Sequence, residues 1–300
     1  MARVWMIFNP VASRHNPTAM RECTAVFTRA GWEVEVVGTT RPDHAGELAK
    51  SAVAEGADVV AVYGGDGTVL QAAGGVMDPR VPMALLPGGT GNQLARNLGI
   101  PFNPVQAAQL MLDGASRAID IGRWTPDGGT SRSFGVACGA GYDAAIMNST
   151  TRALKRWLKT GAYLLQTVRS LKHLTPMPYR VTVDGRMYEG DAATVLIANC
   201  ARMFPPYFPL RPNIALDDGL LDMLALKADG LLDGLRVVRS MKRDAVDPAK
   251  VLHVQGRHIR VEMEPVRPAQ YDGENGGVTP FTAEVLPGAL TLFVPEGGRP

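Results

Sequence analysis

Three short segments of this 300-residue chain carry residue types and spacings that suit a polyphosphate. They are Asn9-Pro10-Val11-Ala12-Ser13, Gly64-Gly65-Asp66-Gly67-Thr68 and Pro87-Gly88-Gly89-Thr90-Gly91-Asn92. Glycine lets backbone N–H groups turn toward one point and lets an anion approach closely. Helices opening at Thr68 and at Asn92 would aim their first N–H groups the same way, and Thr68 and Thr90 add hydroxyls. Asp66 is the one acid inside this cradle. A carboxylate beside phosphates is repulsive unless a cation lies between them, so Asp66 implies Mg²⁺. One Gly-rich turn alone reads as a tight turn. Two of them after neighbouring strands, each with Thr and each opening a helix, point to a polyphosphate site.

Further acids lie late in the chain. Asp272-Gly273-Glu274 offers two carboxylates able to take a proton from an attacking hydroxyl. In an extended segment both would point to one face, while Asp-Gly is equally the sequence of a hairpin turn. Asp217, Asp218 and Asp222 read from their residues as a solvated turn. Other nucleotide motifs fail. No Walker A pattern occurs. Gly139-Ala140-Gly141-Tyr142-Asp143-Ala144 spells the dinucleotide fingerprint, but no Asp or Glu lies between Ala144 and Val183 to hold a ribose. The five histidines have no zinc spacing. Cys23, Cys138 and Cys200 form no disulfide framework, which implies a reducing compartment.

From Ala144 to Val183 there are seven Lys or Arg and no acids. A helix over Thr151–Leu174 would put Arg152, Lys155, Arg156 and Lys159 on one face, and Leu154, Trp157, Leu158 and Leu164 on the other. Such a helix either packs its leucines into a core or approaches anionic lipid headgroups. Lys155 has a further role open to it, reaching toward the phosphates.

The elements that must position these residues fall into two textures. Val4–Phe8, Glu33–Val37, Asp58–Tyr63 and Met83–Leu86 read as strands, with helices from Asn16-Pro17 to Gly31 and over Pro42–Glu55 between them. This alternation predicts a parallel sheet covered on both faces, with ligands at the carboxyl ends of its strands. Beyond about residue 125, Tyr179–Asp184, Ala193–Ala198, Leu220–Leu226, Arg257–Met263 and Thr282–Leu286 read as short strands of an antiparallel β domain. The length favours two domains, placed at 1–125 and 126–300, the last strands packing back on the first. Hydrophobic residues at 46% against 20% charged exclude disorder, and a net charge of +2 argues against a nucleic-acid partner. No apolar run approaches a membrane span, so the expectation is a cytoplasmic protein with at most peripheral membrane contact. A homodimer is left open.

The two Gly loops, followed by Leu94-Ala95-Arg96-Asn97-Leu98-Gly99-Ile100-Pro101, resemble the diacylglycerol kinase catalytic-domain family. Gly-Gly-Asp-Gly-Thr alone is shared with NAD kinases and phosphofructokinases; the second loop and its continuation are more specific. The resemblance covers most of the chain. It implies an NAD kinase/diacylglycerol kinase-like α/β domain with a β-sandwich, and ATP-dependent phosphorylation of a membrane-lipid hydroxyl, foremost diacylglycerol to phosphatidic acid. It leaves a sphingoid base, another lipid alcohol or a non-catalytic nucleotide sensor as alternatives. It marks Asn9–Ser13 as the first nucleotide loop, Thr39 as a threonine near the nucleotide, and Asp120 as the acid closing the first domain. The main chain at Ala215 and Leu220, with the Asp218 carboxylate, would hold a structural Mg²⁺. Asp272 would be the base and Glu274 its partner. Many bacterial members have Asp where this chain has Gln93, a departure that thins the acids around Mg²⁺.

Overall fold

The computed structural model describes residues 1–77, 80–141, 174–203, 208–210, 213–243 and 245–296. These divide into two compact units, Met1–Ile121 with Pro287–Pro300, and Gly122–Leu286. The helix expected over Thr151–Leu174, with Lys155, lies outside the described residues but for Leu174.

In the first unit, β1 (Arg3–Phe8), β2 (Glu33–Gly38), β3 (Val59–Gly64) and β4 (Met83–Pro87) form a parallel sheet in the order β2-β1-β3-β4. Every residue of β3 and β4 is buried. That continuous apolar reading is what a parallel strand covered on both faces requires. The cover is two helix pairs, α1 (Pro17–Arg29) with α5 (Pro104–Asp113), and α2 (His44–Ala54) with α3 (Asp66–Val76); α4 (Gln93–Asn97) is a single short turn after β4. Asn16 caps α1 by accepting from Thr18 and Ala19, with Pro17 at the first position, as its sequence dictates. Asn103-Pro104 repeats the device at α5, a helix not expected from the sequence.

The chain passes from the first unit to the second within β5 (Ala115–Pro126) and returns within β18 (Phe281–Val294). The second unit is antiparallel. One of its sheets has the order β14-β13-β10-β7-β16-β17, from β7 (Ala137–Gly141), β10 (Thr194–Ala198), β13 (Leu221–Leu226), β14 (Val251–Gly256), β16 (Pro268–Tyr271) and β17 (Glu274–Val278). The other joins β8 (Met177–Val183), β9 (Arg186–Ala192) and β15 (His258–Met263) to residues 281–284 of β18, while β6 (Arg132–Phe134) pairs with β5. A two-residue ladder links β11 (Arg202–Met203) and β12 (Phe208–Pro209). Alternate residues of both sheets meet in one core of Phe134, Val181, Val195, Ile197, Met223, Ile259, Val261 and Phe281. One helix here escaped sequence analysis, α6 (Gly230–Lys242). The fold class is the one expected, a parallel α/β unit and an antiparallel β-sandwich unit.

Candidate functional site

The loops after β1, β3 and β4 converge at the carboxyl edge of the first unit's sheet and are tied together by their own polar groups. Asn9 donates its side-chain amide to Thr68 Oγ1 at 3.0 Å, and its Oδ1 accepts from the Val11 N–H at 3.0 Å. The hydroxyls of Ser13 and Thr90 lie 2.8 Å apart. Arg14 donates its N–H to the Gly88 carbonyl at 2.9 Å, and the Gly88 N–H donates to the Gly64 carbonyl at 2.8 Å. Thr39, at the end of β2, donates its N–H to Phe8 beside the first loop. The structure thus brings together Asn9–Ser13, Thr39, Gly64–Thr68 and Gly88–Asn92, the whole set named as nucleotide contacts.

Glycine is required where the two Gly loops touch. A Cβ on Gly89 would stand 2.5 Å from the Gly65 Cα, a backbone collision that no rotamer relieves. Asn92, with φ +47°, sits in the left-handed region that Asn tolerates. Its Oδ1 accepts the Gly89 N–H at 3.0 Å and its amide donates to the Gly89 carbonyl at 2.9 Å, closing the second loop on itself. Two of the glycine N–H groups expected to face an anion, those of Gly88 and Gly89, are therefore engaged within the protein. Two residues missed by sequence reasoning stabilise the first loop. Tyr63 accepts the Asn16 N–H on its hydroxyl, and His15 stacks on Phe8 and meets Tyr63 in a tilted contact, with ring centroids 5.6 Å from each. His15 looks unremarkable in the sequence because a ring contact across 48 positions leaves no local signal.

Asp66 is half-buried at the start of α3, a helix that opens two residues earlier than expected. Its Oδ1 accepts the Gln93 N–H at 2.5 Å and the Leu94 N–H at 3.4 Å, so it caps α4. Burial pushes its pKa up from the usual carboxylate value, and these backbone donors pull part of the way back. Gly91 leaves the room this carboxylate needs, since a Cβ there would lie 2.7 Å from Oδ2. The side-chain oxygen of Gln93 is buried with no hydrogen-bond partner. A small, mainly apolar pocket lined by Asp66, Val69, Leu85, Leu86, Asn92 and Leu94 adjoins the Asp66 carboxylate. Mg²⁺ characteristically takes one or two carboxylates and completes its shell with water and phosphate oxygens. The single Asp66 carboxylate fits that habit, although no group of three His, Cys, Asp or Glu suited to a metal occurs among the described residues.

The remaining named residues lie elsewhere. Asp120 on β5 is buried and its Oδ1 accepts the Gly288 N–H at 2.8 Å, which holds β18 to β5 in the first unit. Asp218 is exposed and its Oδ1 accepts the Leu220 N–H at 3.0 Å, the geometry of a turn acid; Ala215 lies three residues before it in the same loop. Asp222 is not part of a solvated turn. It is fully buried on β13, with Oδ1 2.5 Å from His253 Nε2 on β14 and Oδ2 without a partner. Strand alternation puts Asp222 on the sheet face opposite the core residues Leu221 and Met223, where diagonal cross-strand neighbours meet.

Asp272 and Glu274 do not share an extended segment. Asp272 (φ +45°) and Gly273 (φ +81°) form the two-residue turn of the β16–β17 hairpin, as Asp-Gly favours. The Asp272 carboxylate is held by three consecutive backbone donors. Gly135 N–H reaches Oδ2 at 2.7 Å, and Val136 and Ala137 N–H reach Oδ1 at 2.9 Å each. The same strip is gripped from its other side, where buried Asn199 and Cys200 donate to the Gly135 carbonyl. Glu274 is exposed at the first position of β17.

Comparison with known proteins matches residues 3–124 to the diacylglycerol kinase catalytic domain and residues 136–294 to the YegS C-terminal NAD kinase beta sandwich-like domain. The chain is 31% identical over 270 residues to a diacylglycerol kinase of Mycobacterium tuberculosis, covering 88% of this chain and 85% of that protein. It is 27% identical over 285 residues to a diacylglycerol kinase of Bacillus subtilis, covering 93% and 92%. A solved chain from Bacillus anthracis superposes with a TM-score of 0.82 at 26% identity, covering 99% of this chain and 96% of that one.

Proposed function

The chain belongs to the diacylglycerol kinase catalytic-domain family of lipid kinases, and from that premise we propose that its own acceptor is diacylglycerol, phosphorylated from ATP to phosphatidic acid. The observation that carries this reading is the convergence of three strand-end loops around Asp66. Phosphoryl transfer asks for positioning and charge neutralisation rather than covalent chemistry. The cross-bonded loops supply a rigid wall, and the Thr68 hydroxyl with one hydroxyl of the Ser13–Thr90 pair would supply donors toward a triphosphate tail. Asp66 would hold Mg²⁺, which when bound offsets the repulsion between carboxylate and phosphates.

In the second unit Asp272 is the favoured base for the lipid hydroxyl, with Glu274 as its partner. Three backbone donors fix the orientation of the Asp272 carboxylate. The identity of the diacylglycerol kinases among its relatives supports the choice of acceptor.

The test is incubation of the purified chain with labelled ATP and Mg²⁺ on vesicles carrying, in turn, diacylglycerol, sphingosine and ceramide. Label in phosphatidic acid is expected. Label appearing only in a sphingoid phosphate would replace the acceptor, and tight ATP binding with no labelled lipid would make the chain a nucleotide sensor.

A further inference from the structure

The helix α6 (Gly230–Lys242) separates its residues sharply. Gly234, Val237 and Met241 are buried, while Leu232, Leu235, Arg236, Arg239 and Arg243 are exposed. At 100° per residue the exposed five fall within an arc of about 100°, opposite the buried three. Leu232 is 70% exposed and Leu235 42%, two of the large apolar side chains left to solvent in the second unit. From Gly234 to Arg243 the sequence holds four basic residues and no acid. The one acid within the helix, Asp233, is turned away from this face. Its Oδ2 accepts from Lys250 Nζ at 2.8 Å and from the Asp229 N–H at 3.1 Å. Its pKa is lowered by that lysine first and by the backbone donor second.

A core-packing surface helix would show water a mixed-charge face along its length; this one shows two leucines followed by cations, its exposed acid being Asp229 at the N-cap. A lone basic patch would suit any polyanion, but leucines displayed at the same face gain only by entering an apolar medium. The partner that rewards both is an anionic bilayer, in which leucines enter the headgroup boundary and arginines stay at the phosphates. We propose that the outward face of α6 seats this chain on anionic membranes. The inference rests on the lipid-kinase reading above for its purpose, though its geometry stands without it.

The experiment uses the full chain in two double variants, L232S/L235S and R236Q/R239Q, whose exposed positions leave the fold intact by a melting scan. Sedimentation with phosphatidylglycerol vesicles and with phosphatidylcholine vesicles is measured at low and high salt. Each arginine near such a surface is worth about a fivefold change in partition, so R236Q/R239Q should weaken binding to phosphatidylglycerol by about 30-fold at low salt. L232S/L235S should weaken it by about tenfold or more at either salt. On vesicle-borne diacylglycerol both variants should lose rate in proportion, and on detergent-dispersed diacylglycerol both should match the wild type. Wild-type binding by both variants, or equal binding of the wild type to phosphatidylcholine, overturns the proposal. So does a concentration-dependent dimer lost in L232S/L235S with vesicle binding unchanged, which would make the face a contact between copies. Vesicle binding lost in the variants, in a wild type that phosphorylates no lipid, would uphold the surface and fail the acceptor assignment instead.

Discussion

The two units hold their principal carboxylates in contrasting ways. Asp66 in the first unit is fixed by donors 27 and 28 residues away, in the short helix α4 that follows the neighbouring strand β4. Asp272 in the second is fixed by donors 135 to 137 residues away, in the bend between β6 and β7 and at the first residue of β7. A parallel α/β unit delivers its loops to one edge by construction, so its site is a property of local strand-turn-helix grammar. An antiparallel sheet makes no such promise. The Asp272 position depends on register, and it depends on the Gly135–Ala137 strip being gripped from both sides.

The contrast is open to direct attack. Asp66→Ala should reduce turnover by about 10³-fold or more and abolish magnesium-dependent nucleotide uptake in calorimetry; unchanged uptake and turnover would remove Asp66 from the mechanism. In the second unit, His253→Ala should destabilise the chain by about 3 kcal/mol in urea unfolding, because it strands the fully buried Asp222 carboxylate. A loss well under 1 kcal/mol would mean that this pair does not support the sheet. Asp272→Asn should lower kcat by about a hundredfold or more. It should also lower Tm, since an amide NH₂ cannot accept from backbone donors on both sides. Glu274→Gln, at an exposed site, should leave Tm unchanged whatever it does to kcat. Near-normal turnover in both variants would dismiss the acid pair.

The smallest effect concerns pH. Burial raises the Asp66 pKa, so the folded state disfavours its ionised form and the ionised carboxylate costs stability above the unfolded-state pKa. Asp66→Asn should therefore raise Tm at pH 7, and the advantage should fade as pH falls and wild-type Asp66 takes up its proton. An advantage that instead grows toward acid pH would contradict the burial argument.

What could be read from sequence follows the same division. Asn16-Pro17, the two Gly loops and the Asp272-Gly273 turn declare themselves because cap, turn and φ preferences act over two to four residues. Asp222 misled because Asp217, Asp218 and Gly219 form a polar cluster ahead of it, whereas strand alternation carries it inward to a histidine 31 positions on. The helix α6 escaped because Gly230 and Gly234 break the look of a helix, and its apolar inner face is only one residue in three or four. The cross-links Asn9–Thr68 and Ser13–Thr90 join residues that were each named, but pairing across 59 and 77 positions is set by the sheet order and not by any local pattern.

The contact between Gly89 and Gly65 has a consequence for inhibitor design. Cells escape a drug most simply by enlarging a side chain where the drug leans, and here the backbone of the facing loop already fills that space. A compound pressed against this seam meets a wall that resistance could reshape only by dismantling the loop that the enzyme itself needs.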